Sequence, residues 1–150
     1  MNYQKALREI NNFLSGKEEK KLQAVVSYLH DHVDYYSWVG IYLIKDNILQ
    51  LGPWKGPQAT EHTNIPIGTG VCGAAAKTGK TEMVSDVKKD DRYLSCFLST
   101  RSEIVVPIKK NKKIIGEIDI DSDRPAAFTE QDKTFLESVA DMLSEHICIN

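Results

Sequence analysis

Apolar residues recur at helical spacing over residues 3–14, where Ser15-Gly16 break the pattern, and again from about Lys17 to Val33. In the second segment Leu22, Val26, Leu29 and Val33 keep one face. The period then changes. "WVGIYLI", from Trp38 to Ile44, is rich in β-branched and aromatic residues; "KDN" supplies a turn, and "ILQLGPW" reads as the returning strand. Glycine and proline crowd residues 52–57, so a loop follows. After "IPIGTGVCGAAAKTGK" comes a short strand around Glu82–Val84, then the polar, turn-rich "DVKKDDRYLS" with room for one helical turn. Two further strands, Ile104–Ile108 and Ile114–Ile120, are joined by "KKNKK". Thr129 and Asp132 have the spacing of a capping box, opening a last helix with Phe135, Val139, Met142 and Leu143 on one face.

This order predicts an α+β domain spanning residues 1–150, a central antiparallel sheet with helices gathered on one face. Long loops are left to cover the other face, with a pocket beneath them.

Strand parity carries the first chemical signal. In "GEIDIDS" the side chains of Glu117, Asp119 and Asp121 share one face, and Ile118 and Ile120 the other. In the preceding strand Glu103 and Val105 share a face, opposite Ile104, Val106 and Ile108. For the apolar faces of a hairpin to coincide, the loop must be odd. A three-residue loop, Lys110-Asn111-Lys112, sets Glu103 opposite Asp119, and a slip of two sets it against Glu117 or Asp121. Facing like charges are destabilising, and a cation between them removes the conflict. Three occupants of such a face remain open: solvent, a divalent metal, or an organic ammonium.

The second signal is "IGTGVCGAA". Gly68, Gly70 and Gly73 allow close backbone approach, and N–H groups at a helix start attract anions. Cys72 falls in the first turn of that helix, where the helix N-terminus is expected to lower its thiol pKa. Cys96 lies in the polar loop before Glu103, and Cys148 ends the last helix. His30, His32, His62 and His146 form no ligand pattern.

Composition narrows the classes. The chain has 150 residues, 41% hydrophobic and 27% charged, as expected of one soluble globular domain. A formal net charge of -2 without a basic block argues against a nucleic-acid partner. "MNYQKALREI" has no signal core and no segment approaches a membrane span. Three cysteines without a secretory signal predict reduced thiols and a cytoplasmic location. Neither CxxC nor HExxH occurs, so a zinc site has no support from a motif.

Taken in order, "WVGIY", "LGPWKG", "IPIGTGVCG", "SDV", "SEIVVP" and "GEIDIDS" resemble the free methionine-(R)-sulfoxide reductases, which are GAF domains. The resemblance runs from about Trp38 to Ser122. It implies a GAF fold, a homodimer built with the terminal helices, and reduction of free methionine-(R)-sulfoxide with no metal or organic cofactor. Cys96 matches the nucleophile, which is oxidised to a sulfenic acid. Cys72 matches a cysteine that forms a disulfide or lines the pocket, and a thioredoxin-like dithiol restores the thiols. Glu103, Asp119 and Asp121 match the carboxylates that hold the substrate amine; Trp38 and Tyr42 match the aromatic wall. N–H groups around Gly70 are placed to hold the α-carboxylate.

Two departures stand out. The family usually carries a third pocket cysteine in the loop after the second strand, where this chain has Thr60 or His62 depending on the direction of counting. Around the nucleophile the chain reads "YLSCF", with Phe97 in place of an acid. A non-catalytic GAF module that binds an amino-acid-like ligand is therefore the alternative expectation.

Overall fold

The computed structural model describes residues 1–16, 20–94 and 97–148. Cys96, proposed above as the nucleophile, lies outside the described residues, as does the expected start of the second helix at Lys17. Among the described residues there are four α-helices: α1 (Tyr3–Ser15), α2 (Lys21–His32), α3 (Gly70–Thr78) and α4 (Glu130–Ser144). The strands are β1 (Trp38–Lys45), β2 (Ile48–Lys55), β3 (Asn64–Pro66), β4 (Glu82–Val84), β5 (Ser102–Lys110) and β6 (Lys113–Ser122). They form one antiparallel sheet in the order β3-β2-β1-β6-β5-β4. The expected α+β architecture is present. The three-residue β3 was absent from the sequence reading, because three residues carry no readable alternation.

Local chemistry explains the element ends. Asn2 caps α1 by accepting the Lys5 backbone N–H at 3.0 Å. Asp46 and Asn47, both at positive φ, make the two-residue turn between β1 and β2. The capping box of α4 is formed: Asp132 Oδ2 accepts both the Thr129 backbone N–H, at 2.9 Å, and its hydroxyl, at 3.1 Å. The buried Asp132 also accepts the Tyr35 and Tyr36 hydroxyls at 2.7 Å each, which ties α4 to the segment entering β1.

Helices α1, α2 and α4 cover one face of the sheet. Ile10, Leu14, Val26, Leu29, Leu136, Val139 and Leu143 pack there on Val39, Ile41, Ile104, Val106, Ile118 and Ile120. The other face is covered by α3 together with the loops: Val71, Cys72, Ala75 and Ala76 pack on Tyr42, Leu49, Val84 and Val105.

The β5–β6 hairpin departs from expectation in an instructive way. Its turn has two residues, Asn111 and Lys112, both at positive φ, and not three. An even loop alone would set the isoleucines of β6 against the wrong face of β5. A bulge corrects this. Lys109 pairs with Ile114 and Ile108 with Gly116, so Ile115 is the extra residue on β6. Beyond it the parity is restored, and Ile104 faces Ile120 while Glu103 faces Asp121. The expected pairing of Glu103 with Asp119 is therefore replaced by its two-residue alternative, and Asp119 stands opposite Val105.

Candidate functional site

Strands β1, β6 and β5 are adjacent, so the carboxylate face of β6 is flanked on both sides. Trp38, Asp121 and Glu103 form one rung across the three strands; Gly40, Asp119 and Val105 form the next; Tyr42, Glu117 and Pro107 form the third. All four carboxyl side chains are buried, Glu103 at 4%, Glu117 at 0%, Asp119 at 3% and Asp121 at 2% exposure. The buried polar side chains among the described residues include no lysine, arginine or histidine. Both Glu117 oxygens, Asp119 Oδ1 and Asp121 Oδ1 lack a conventional hydrogen-bond partner among the described residues.

Such a cluster cannot hold four negative charges. Burial, then the charges of Asp119 and Asp121, push the Glu103 pKa well above the usual carboxylate range. Burial, then Asp119, raise Glu117 and Asp121 in the same way, and burial raises Asp119. Among the four, Glu103 is raised by both Asp119 and Asp121 as well as by burial.

Cys72, in the first turn of α3, points into this cluster. Its Sγ, a Glu103 oxygen and an Asp119 oxygen all lie within 4.8 Å of one another. Burial, followed by Asp119, Glu117, Glu103 and Asp121, pushes the thiol well above its ordinary pKa. The expectation of a thiol acidified by the helix N-terminus is thus overturned: desolvation and neighbouring carboxylates outweigh the helix dipole. Cys72 sits here as a thiol whose S–H, a weak donor, favours Glu117 and Asp119 in their charged form. Cys72 and the exposed Cys148 are free.

Aromatic groups form the walls. The Trp38 indole lies over Gly40, where a Cβ would come within 2.4 Å of its Cη2 atom. Trp54 stacks on it at 6.1 Å between centroids, and Phe97 leans on it at 5.8 Å. The buried Tyr42 donates its hydroxyl to the His62 carbonyl at 2.7 Å, and Thr60 Oγ1 accepts the His62 N–H at 3.1 Å. Thr60 is buried, so one of the two candidate positions for the family's third cysteine is inside the fold.

The roof is α3 and the segment after the 3₁₀ turn Val87–Lys89. Gly70 takes φ 70°, and a Cβ there would meet Leu94 at 2.8 Å, so Leu94 is seated on the start of α3. Thr69 makes no side-chain cap, whereas the N–H groups of Gly68, Thr69 and Gly73 are committed to Gly73, Pro66 and Thr69 carbonyls. Gly70, Val71 and Cys72 occupy the first positions of α3, whose N–H groups the helix itself leaves unused. Arg92 holds the roof from outside, pairing with Glu82 at 3.3 Å and Asp90 at 2.7 Å.

Tyr42, Ile65, Val71, Cys72, Leu94, Glu103 and Asp119 enclose a cavity of about 10 Å³. That is room for about one water molecule, against roughly 300 Å³ or more for an open ligand pocket. A larger open cleft of about 430 Å³, near Lys80, Lys109 and Lys133, contains none of these residues. Of the residues singled out from sequence, the structure brings Trp38, Tyr42, Cys72, Glu103, Asp119 and Asp121 to one face and Gly70 to its roof. Leu94 and Ile65 were not foreseen, since an isolated apolar residue in a loop or in a three-residue strand carries no periodic signal. Glu117 was visible by parity but was given no role.

The sequence matches the family model described as "GAF domain" over residues 18–147. It is 32% identical over 140 residues to the free methionine-R-sulfoxide reductase of Escherichia coli, covering 92% of this chain and 84% of that one. The chain belongs to the free methionine-R-sulfoxide reductase family of GAF domains. Solved members superpose closely. The family member of Staphylococcus aureus in complex with its substrate has a TM-score of 0.88 and 35% identity, covering 98% of this chain and 96% of that one. The free methionine-R-sulfoxide reductase of Neisseria meningitidis, also in complex with its substrate, has a TM-score of 0.88 and 34% identity, covering 95% and 86%. No helix among the described residues is long and apolar enough to cross a membrane.

Proposed function

We propose that this chain reduces free methionine-(R)-sulfoxide to methionine. The observation that carries the proposal is the buried set Glu103, Asp119 and Asp121 beside Cys72, which among the described residues has carboxyl oxygens without partners and no buried cation. An ammonium group supplies the missing charge and three N–H donors at once. The α-carboxylate takes the N–H groups at the start of α3, and Trp38 packs on the methyl end. The relatives that carry the reductase name, two of them solved with substrate, support the same assignment.

In the reaction the Cys96 thiolate attacks the sulfoxide sulfur while a carboxylic acid protonates the departing oxygen. Glu103 suits that role because burial and the neighbouring Asp119 and Asp121 raise its pKa and so favour its acid form. The oxygen leaves as water from the Cys96–substrate sulfonium adduct; water then adds to the Cys96 sulfur, the S–S bond breaks, and methionine and a sulfenic acid result. The Cys72 thiol then displaces the sulfenic oxygen as water and forms a Cys72–Cys96 disulfide. A thioredoxin-like dithiol reduces it, and the cycle needs no resident cofactor.

Substrate entry requires the roof to lift, since the cavity of about 10 Å³ admits no amino acid. Leu94 rests on Gly70 without a covalent tie, and the Arg92 pairs are partly exposed, each worth under about 1 kcal/mol. The protein works as a homodimer in the reducing cytoplasm in this proposal. The test is NADPH consumption coupled through thioredoxin reductase and thioredoxin, with free methionine-(R)-sulfoxide as substrate. No consumption, together with retained binding of methionine, would favour the second assignment, a non-catalytic amino-acid-binding module. The absence of a thiol at both 60 and 62 is what favours that alternative.

A further inference from the structure

The cavity poses a question that the substrate does not answer. When the roof is down, the space among Cys72, Glu103 and Asp119 holds about one water-sized body, yet those groups carry an unmet demand for positive charge. A metal ion has that size and that charge. We propose that the closed pocket is a binding site for a thiophilic divalent cation of the zinc class, with Cys72 Sγ, Glu103 and Asp119 as its ligands.

The geometry is close to what such an ion requires. Zinc–sulfur and zinc–oxygen bonds of about 2.3 and 2.0–2.2 Å put bound ligand atoms roughly 3.3–3.7 Å apart in a tetrahedron. The three donor atoms already lie within 4.8 Å of one another, so small rotations of the side chains close the site. Asp119 Oδ1 is buried, lines the cavity and has no hydrogen-bond partner among the described residues. Glu117, on the same face with both oxygens lacking a conventional partner among the described residues, borders the site without being needed as a ligand.

The donor set also selects the metal. A thiolate with two carboxylates suits zinc, cobalt or cadmium; magnesium and calcium prefer oxygen alone and gain nothing from the sulfur. Binding must expel the Cys72 proton and any proton held by Glu103, so affinity rises with pH. The bound ion takes the place proposed for the substrate ammonium and ties up Cys72. In a reductase it is therefore an inhibitor and not a cofactor.

The test is a cobalt titration of the reduced full chain, followed by displacement with zinc. The expected result is a sulfur-to-cobalt charge-transfer band that zinc removes and magnesium or calcium does not. Cys72→Ser should abolish the band, and Cys148→Ser should leave it intact. Asp119→Asn, which removes a buried charge while keeping the shape, carries the test should Cys72→Ser fail to fold. It should weaken binding by more than the roughly 10–100-fold that even outer-shell partners are worth. A band that survives Cys72→Ser, disappears in Cys148→Ser, or yields to magnesium as readily as to zinc overturns the proposal. The readout involves no substrate, so it fails or succeeds independently of the reductase assignment.

Discussion

Glu103 and Asp121 stand directly opposite each other across the β5–β6 ladder, both buried, with their pKa values raised chiefly by burial and next by neighbouring carboxylates. The folded state therefore binds protons more tightly than the unfolded chain. A raised folded pKa means stability that is full below the unfolded carboxylate value and is lost as pH rises toward the folded one. The melting temperature of the ligand-free protein should rise as pH falls from about 8 to about 5. Asp31 and Asp90 act oppositely, since Lys55 and Arg92 lower their pKa values, but their window lies below that range. Asp121→Asn should raise the melting temperature at the alkaline end by about 2–4 °C per kcal/mol recovered and flatten the profile. Parallel curves for parent and variant would mean that these carboxyls do not titrate in this range.

The thiols have separable roles. Cys96→Ser should abolish reduction altogether. Cys72→Ser should allow one turnover and then stall thioredoxin-driven recycling. Mass spectrometry after a single addition of substrate should find a Cys72–Cys96 disulfide in the parent. Undiminished turnover in Cys96→Ser would remove that residue from the chemistry.

Substrate form should matter more than substrate size. N-acetyl and peptidyl methionine sulfoxide lack the free ammonium and would leave buried carboxylates unpaired. Buried polar groups left without partners commonly cost a factor of about 10⁴ or more in specificity. The S epimer should also react poorly, because its oxygen cannot face the acid while its sulfur faces the thiol. Rates across these compounds at equal concentration check both statements; equal rates on free and N-acetyl forms would show that the carboxylates do not hold the amine.

Gly40 is expected to tolerate no side chain. A Cβ would sit 2.4 and 2.6 Å from the Trp38 Cη2 and Cζ3 atoms, and Trp54 and Phe97 leave the indole little room to retreat. Gly40→Ala should cost about 1–3 kcal/mol through overpacking. It should also alter the tryptophan emission, which arises from Trp38 and Trp54 alone. A denaturation midpoint and spectrum identical to the parent would contradict the packing described here.

Asp132 joins two elements through one carboxylate. Asp132→Asn replaces an acceptor facing the Thr129 N–H with a donor, and should destabilise the fold by about 1–3 kcal/mol. Tyr36→Phe should cost less, since Tyr35 still donates to Asp132. Urea denaturation of the two variants gives the comparison.

Most of the site was legible because it is written in strand parity. Glu117, Asp119 and Asp121 had to share a face, and Trp38 and Tyr42 fall on the same face of the neighbouring strand. The register was less legible. A bulge at Ile115 has no sequence signature inside "KIIGEIDI", so Glu103 was matched to the wrong aspartate. The protonation of Cys72 was misjudged for a different reason. Its place on the helix could be read, but its burial among four acids arises only when α3 lies down on β5 and β6. Leu94 closes the pocket from a loop, where no periodicity exists to announce it.

The bulge at Ile115 also governs how this hairpin can change in length. The two-residue turn and the single extra residue form one arithmetic unit, and their sum decides which side of the sheet the acids occupy. Losing or gaining one residue between Lys109 and Gly116 would turn the carboxylates of β6 toward the helices and its isoleucines toward the pocket. Length changes at this exposed tip are therefore neutral only in steps of two, or when a second change cancels the first. The exposed tip of a hairpin whose strands are otherwise buried thus acts as a counter for the chemistry at its far end.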